Sequence, residues 1–114
     1  MGNENKQIMV RIDDKLKKDF QKFCKSKGFT MSKAIQIFAH YCLENKVAPY
    51  TIADTDKYIE DGKEIRISFT IDTELQKKFA EVCNKYDMPM SVFLRNFIKE
   101  CVIKNKFPFE KNNS

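Results

Sequence analysis

Two short stretches of the chain alternate between apolar and polar residues with a period of two. Residues 65–71 place Ile, Ile, Phe and Ile between Arg, Ser and Thr, and residues 8–12 repeat the pattern with Ile, Val and Ile. Because successive side chains of a β-strand point to opposite faces, each stretch predicts a strand with one apolar and one polar face. A lone strand is not stable, so we expect the two strands to pair.

Each predicted strand leads into an amphipathic helix. Asp13 and Asp72 stand where a helix N-cap is expected, and the helices are predicted to end near Gly28 and Asp87. Between these limits apolar residues recur every three or four positions, which is typical of a helix with one buried face. These residues are Leu16, Phe20, Phe23 and Cys24 in the first helix, and Leu75, Phe79, Val82 and Cys83 in its counterpart.

A second helix is predicted directly after each of these. It opens at residues 30–32 in one half and 89–91 in the other, and it ends before Pro49 or Pro108 because proline disfavours a helical residue before it. The apolar stripes are wide, as expected for helices largely covered by neighbours. They comprise Met31, Ala34, Ile35, Phe38, Cys42 and Leu43, and Met90, Phe93, Leu94, Phe97, Ile98, Cys101 and Val102.

The predicted elements recur at an offset of 59 residues, as from Ile8 to Ile67 and from Phe38 to Phe97. About a dozen positions are identical along this gap-free match, which predicts two copies of one strand-helix-helix unit. The matches include Ile12 with Ile71, Asp13 with Asp72, Leu16 with Leu75, Phe20 with Phe79, Cys24 with Cys83, Met31-Ser32 with Met90-Ser91, Cys42 with Cys101, and Pro49 with Pro108.

One such unit cannot bury its own apolar faces, so two must interlock. We expect a mainly α fold with a two-stranded antiparallel β-ribbon, formed as an intramolecular pseudo-dimer. The expected organisation is a first unit at 1–50, an acidic linker at 51–63, a second unit at 64–109 and a tail at 110–114. The linker can span roughly 40 Å, enough to return to the sheet. The alternative is a swapped dimer in which each first strand pairs with that of another chain.

The composition is basic, with 21 Lys and Arg residues against 16 Asp and Glu, a formal charge of +5 and a pI near 9.0. This balance favours a polyanionic partner. No apolar run approaches the roughly 20 residues that span a bilayer, and the first residues lack the apolar segment of a secretory signal. We therefore expect a cytoplasmic protein without membrane contact.

The sequence offers little for catalysis or metal binding. Cys24, Cys42, Cys83 and Cys101 form no Cys-x-x-Cys pair and recur on the apolar stripes, which is typical of buried thiols. His40 is the only histidine and has no nucleophile motif beside it, and the three glycines form no phosphate-binding loop. We expect no enzymatic activity, no cofactor and no metal.

The first unit combines residues 10–13 (VRID), Leu16 and residues 28–35 (GFTMSKAI) in the order strand, helix, helix. These motifs resemble the ribbon-helix-helix (Arc/MetJ-type) superfamily of DNA-binding proteins, and the first unit is also similar to RelB/DinJ-like antitoxins through its Pro49-Tyr50 end. The resemblance covers residues 6–50 well and 64–109 more loosely. In the second unit Asp87 stands in place of the turn glycine, and Pro89 stands in place of the cap threonine.

The resemblance implies that the outward residues of the paired strands enter the major groove of double-stranded DNA and that the start of each second helix contacts a phosphate. By position, the base-contacting residues are Gln7, Met9, Arg11, Arg66, Ser68 and Thr70. The phosphate-contacting residues are Lys6, Lys15, Thr30, Met31, Ser32, Lys33, Met90 and Ser91. The alternatives are ordinary solvent-facing strand residues and plain N-caps. For the lysines along the first helix, a solvated face is the preferred interpretation.

Three cellular roles follow from this interpretation. The first is a transcriptional repressor that reads a non-palindromic element, with further copies of the protein on adjacent sites. The second is a relaxosome accessory or plasmid-maintenance protein, because tandem units resemble TraY-like conjugation factors. The third is an antitoxin with a toxin partner, which is disfavoured because only residues 110–114 follow the second unit. The linker could serve that partner instead through Ile52, Tyr58 and Ile59.

Overall fold

The computed structural model describes residues 5–45 and 62–107. Within these ranges the strand-helix-helix order occurs twice, as the sequence predicts. Both strands extend beyond the alternating segments by one or more residues at each end, because their flanking residues continue the pairing. The elements are β1 (Asn5–Asp13), α1 (Asp14–Ser26), α2 (Met31–Asn45), β2 (Glu64–Asp72), α3 (Thr73–Lys85) and α4 (Met90–Lys104).

The two strands form an antiparallel ribbon within one chain, which confirms the predicted fold class. Met9 lies opposite Ser68 at the centre of the register. These two positions also correspond at the 59-residue offset, so a pseudo-two-fold axis passes between them and exchanges the two units. One face of the ribbon is buried and carries Ile8, Val10, Ile12, Ile67, Phe69 and Ile71.

The four helices cover the buried face of the ribbon and join the two units in one core. α1 packs mainly against α4 and α2 against α3, so each helix has its main helical neighbour in the other unit. The buried residues form a single hydrophobic cluster that includes both strands and all four helices. Neither unit therefore has a hydrophobic core of its own. This is expected, because one strand and two helices form too few layers to bury their apolar faces.

Phe38 and Phe97 form the centre of this core. Their rings stack with centroids 3.9 Å apart and planes inclined by 18°, and both side chains are fully buried. The arrangement around them follows the pseudo-symmetry, since Phe20 meets Phe97 edge-on at 6.1 Å and Phe79 meets Phe38 edge-on at 6.1 Å. The predicted burial of the two central phenylalanines between the units is confirmed.

The turns between the helices have the same geometry despite different residues. Gly28 has a φ of +80° and Asp87 a φ of +53°, both in the left-handed region. The amide that follows each donates back to the preceding helix, from Phe29 to the Cys24 carbonyl at 2.9 Å and from Met88 to the Cys83 carbonyl at 3.0 Å. Aspartate tolerates this conformation better than most residues, so the second unit keeps the turn without a glycine.

Asp13 joins three parts of the chain and breaks the symmetry between the units. Its Oδ2 accepts from the backbone N–H groups of Lys15 at 3.0 Å and Leu16 at 3.4 Å, which caps α1 as predicted. Its Oδ1 accepts from the backbone N–H groups of Gly62 at 2.8 Å and Lys63 at 3.1 Å, directly before β2. Its counterpart Asp72 caps α3 through the backbone N–H of Leu75 at 3.1 Å. Asp13 is only 4% exposed.

Phe38→Ala or Phe97→Ala should each lower the free energy of unfolding by about 3–5 kcal/mol, because truncation of a fully buried phenylalanine leaves a cavity. A domain of this size has about 5–15 kcal/mol in total, so either variant should melt far below the parent. Urea denaturation followed by circular dichroism measures the change, with His40→Ala on the exposed side of α2 as control. Parent-like stability of both phenylalanine variants would contradict the packing.

Asp13→Ala should destabilise the protein more than Asp72→Ala. Loss of an N-cap costs about 1 kcal/mol at either position. Only Asp13→Ala also removes the acceptor of the Gly62 and Lys63 N–H groups, and each such hydrogen bond contributes about 0.5–1.5 kcal/mol net. The two variants occupy matched positions and are controls for each other in the same denaturation experiment. Equal losses of stability would show that the contacts before β2 contribute nothing.

Candidate nucleic-acid interface

The six predicted base-contacting side chains share the exposed face of the β-ribbon. The register sets them in three cross-strand pairs: Gln7 with Thr70, Met9 with Ser68, and Arg11 with Arg66. All six are exposed because their neighbours along each strand turn into the core. Met9 is 57% exposed and is the only large hydrophobic side chain exposed to that degree in the described ranges.

The two ends of this face differ chemically. Under the pseudo-two-fold axis Gln7 corresponds to Arg66, and Thr70 corresponds to Arg11. One end therefore carries two arginines side by side, and the opposite end carries a glutamine beside a threonine. Sequence reasoning identified the residues but not this distribution, because the pairing register decides which side chains become neighbours.

Two residues that the sequence analysis did not single out also contact the ribbon. Gln36 on α2 donates from Nε2 to the Thr70 carbonyl at 3.1 Å, and Arg95 on α4 places Nη1 3.5 Å from the Arg11 carbonyl. The two positions correspond at the 59-residue offset, so each second helix contacts the strand of the other unit at the same place. The available signal was a polar residue at matched positions inside two apolar stripes.

The starts of α2 and α4 lie at the predicted phosphate-contacting positions. At α2 the Thr30 hydroxyl accepts from the Lys33 backbone N–H at 3.1 Å, which makes Thr30 an N-cap. Lys33 is exposed, and Met31 and Ser32 are half-buried. A helix start favours anions, since its first N–H groups have no partner within the helix.

The start of α4 is built differently. Pro89 occupies its N-cap position and supplies no side-chain hydrogen bond. The Pro89 carbonyl still accepts from the Phe93 N–H at 3.1 Å, just as the Thr30 carbonyl accepts from Ala34 at 3.1 Å. The helix therefore begins in register although the cap is lost. Met90 is half-buried and Ser91 is exposed at this start.

A surface depression of about 280 Å³ connects the ribbon to the start of α4. Met9 and Arg11 line it from β1, Ser91 and Arg95 from α4, and Glu64 from the beginning of β2. It brings residues proposed for base contacts and for phosphate contacts around one concave surface at the end of the ribbon that carries the two arginines.

Lys6 and Lys15 are the two remaining predicted phosphate contacts. Lys6 is exposed, but it alternates with the outward residues of β1 and lies at the ribbon end that carries Gln7. Lys15 is half-buried, and its Nζ lies 3.4 Å from Asp19 Oδ2 one helical turn later. Surface pairs of this kind contribute little free energy.

All four cysteines are free and buried in the core, as the sequence predicts. Burial raises the pKa of Cys24 and Cys42 to about 12 and that of Cys83 to about 11, because the low-polarity core disfavours a thiolate. Across the described parts of the chain, no group of three or more His, Cys, Asp or Glu residues is arranged to hold a metal ion.

Comparison with known families relates part of this chain to antitoxins. Residues 5–59 match the RelB antitoxin family, which supports the predicted similarity of the first unit. That family is one of antitoxins and not of enzymes. No curated protein and no solved structure matches the chain. In residues 5–45 and 62–107, no helix is both long enough and apolar enough to cross a membrane.

The native protein should resist thiol-specific reagents. Only a thiolate attacks such reagents, and the raised pKa values keep the thiolate population at pH 8 far below that of a free cysteine. We expect little reaction with a chromogenic disulfide at pH 8 and four reactive thiols after unfolding in urea. Gln21→Cys, at an exposed position of α1, provides the control for reagent access. Rapid reaction of a native cysteine in the parent would contradict the burial.

Proposed function

We propose that this protein binds double-stranded DNA in a sequence-specific manner through its β-ribbon and acts as a transcriptional repressor. The supporting observation is the arrangement of six polar or flexible side chains on one exposed face, while the other face is fixed in the core. The major groove of B-DNA is about 12 Å wide and admits a two-stranded ribbon. The helices behind the ribbon fix the direction in which these side chains project.

The side chains match the groups that bases present in the major groove. Arg11 and Arg66 can each bind guanine O6 and N7 as a bidentate pair, and Gln7 can bind adenine in the same manner. Ser68 and Thr70 can donate to or accept from several bases, and the methyl groups of Met9 and Thr70 suit the thymine methyl. This combination provides both direct base recognition and apolar contact on one surface.

Phosphate contacts on both sides of the ribbon would orient it in the groove. The start of α2 offers backbone N–H groups around Met31 and Ser32 with the Lys33 side chain nearby, and the start of α4 offers those of Met90 and Ser91. The loss of the side-chain cap at Pro89 leaves the α4 amides available to an anion. Thr30, Lys6 and Lys15 would contribute a supporting cap and longer-range charge, in keeping with the net charge of +5.

A second candidate function is that of an antitoxin that also represses its own operon. It is favoured by the match of residues 5–59 to the RelB antitoxin family, whose members in general bind both toxins and DNA. Ile52, Tyr58 and Ile59, the expected linker contacts to a toxin, lie outside the described residues. Co-expression with the product of each neighbouring gene tests this role, since relief of growth arrest by this protein would establish it.

The relaxosome role has no support from these comparisons and stays a prediction. It shares the DNA-binding surface with the other two roles, so the same base-contacting residues would serve it. Knowledge of the adjacent DNA separates the roles: an operator upstream of the gene fits a repressor, and a site beside a transfer origin fits a conjugation factor.

Replacement of both Arg11 and Arg66 by Ala should sharply weaken specific DNA binding without unfolding the protein. Both side chains are exposed, and each bidentate guanine contact contributes about 1–3 kcal/mol of discrimination. We therefore expect specific affinity to fall by roughly 30-fold or more at constant salt. Fluorescence anisotropy with a selected DNA site measures the loss, and circular dichroism verifies the fold.

The matched control is Lys22→Ala with Lys25→Ala, which removes the same charge from exposed positions late in α1. If charge alone were responsible, the two double variants would lose affinity equally, and both would lose it equally for unrelated DNA. Parent-like binding by the arginine variant would refute the assignment of the ribbon as the DNA-contacting surface.

A further inference from the structure

We propose that the ribbon reads DNA in one fixed orientation, with the end that carries Arg11, Arg66 and Arg95 over guanines and the opposite end over A·T pairs. This inference rests on the proposed DNA binding and assigns a base preference to each half of the site. We call the two ends the arginine end (Arg11, Arg66 and Arg95) and the amide end (Thr70, Gln7 and Gln36).

The two ends consist of equivalent positions. The pseudo-two-fold axis through Met9 and Ser68 exchanges Arg11 with Thr70, Arg66 with Gln7, and Arg95 with Gln36. At all three positions the arginine end has a guanidinium where the amide end has a neutral polar side chain. The strand register and the contact of each second helix with the opposite strand are shared by both ends, so these three pairs of side chains give the two ends different chemistry.

Arg11 and Arg66 are cross-strand neighbours, so the arginine end carries two guanidinium groups that can donate to hydrogen-bond acceptors. Like charges directly opposite one another in an antiparallel pair are unfavourable. Guanine O6 and N7 both accept hydrogen bonds at the major-groove edge, and adjacent guanines offer two such edges side by side. A step of consecutive guanines therefore supplies acceptors for both guanidinium groups and offsets their mutual repulsion at the same time.

Arg95 extends the arginine end from the bases toward the backbone of the DNA. It lines the depression of about 280 Å³ together with Arg11 and Ser91, so it lies between the ribbon and the start of α4. Its 3.5 Å approach to the Arg11 carbonyl engages one nitrogen, and the rest of its planar group can bind a phosphate. Glu64, the acidic residue in this depression, suits the cytosine amino group paired with a guanine.

The amide end has the complementary chemistry for A·T pairs. Gln7 can bind adenine N6 and N7, and its neighbour Thr70 offers a hydroxyl and a methyl group to thymine. This end can also attract a phosphate, because Lys33 lies at the start of α2. The matched position at the start of α4 is the uncharged Val92. Cations therefore serve the backbone at both ends, and the asymmetry concerns base recognition.

Selection of binding sites from random DNA tests the inference with two proteins. The parent should select a non-palindromic site with consecutive guanines in one half and A·T pairs in the other. The triple variant Arg66→Gln, Ser68→Met and Thr70→Arg gives both strands the same outward triplet, so it should select an inverted repeat. The substituted side chains are all exposed, and a thermal melt verifies that the variant folds like the parent.

A tethered DNA-cleaving reagent then determines which end lies over which half. Lys63→Cys introduces an exposed thiol directly before β2, at the arginine end, while the four native thiols are buried. A reagent on this cysteine should cut beside the guanine-rich half of the selected site. Attachment at Gln21→Cys, at an exposed position outside the ribbon in α1, is the control for cleavage that does not depend on orientation.

The outcomes separate this inference from the proposed function. A palindromic site for the parent, unchanged half-site symmetry in the triple variant, or cleavage beside the A·T half would overturn the orientation while DNA binding stands. Failure to enrich any sequence would overturn the DNA-binding proposal and the inference together. The expected effect of Arg66→Gln on the parent site is a loss of about 5- to 140-fold in affinity, with a clearly smaller loss, from the missing charge alone, for a site whose guanines are replaced.

Discussion

The stack of Phe38 on Phe97 at the pseudo-two-fold axis is the contact on which the other parts of the structure depend. A two-stranded ribbon has no independent stability, and each helix pair leaves an apolar face uncovered without the other unit. Phe38 of α2 and Phe97 of α4 cover these apolar faces, because each ring stacks on the other and both side chains are fully buried. The outward direction of the ribbon side chains is therefore fixed by a core on the opposite side of the sheet.

Joining the two units in one chain allows their surfaces to differ although their core is shared. When two separate copies form a symmetric core, their association depends on concentration, and their surfaces are identical by necessity. In one chain the partner unit is always present, and each surface position can change independently of its counterpart. Many buried residues are identical in the two units, as in Cys24 with Cys83, and the positions that are buried in both units but differ stay apolar, as in Val10 with Phe69. The outward strand residues differ at every matched position. The core preserves the symmetry, and the exposed face does not.

The sequence was sufficient for the elements and the pairing, because period-two and helical patterns and the 59-residue repeat all predict the same interlocked fold. The sequence did not show which side chains become neighbours across the ribbon or between a helix and a strand. The side-by-side position of Arg11 and Arg66 depends on the register, which no single strand specifies. Gln36 and Arg95 were missed for a related reason: each contacts a strand in the other unit, and helical periodicity describes only contacts along one helix.

Asp13 connects the end of β1 to the residues just before β2, a contact that has no counterpart at Asp72 among the described hydrogen bonds. Both units need an aspartate to cap their first helix, but only Asp13 also receives the backbone just before β2, at Gly62 and Lys63. The Asp14 N–H donates to the Lys63 carbonyl at 2.8 Å and reinforces this junction. The end of β1 and the start of β2 are thereby held together at the arginine end. Gly62 and Lys63 therefore lie beside Arg11 and Arg66, the side chains that distinguish one half of the exposed face from the other.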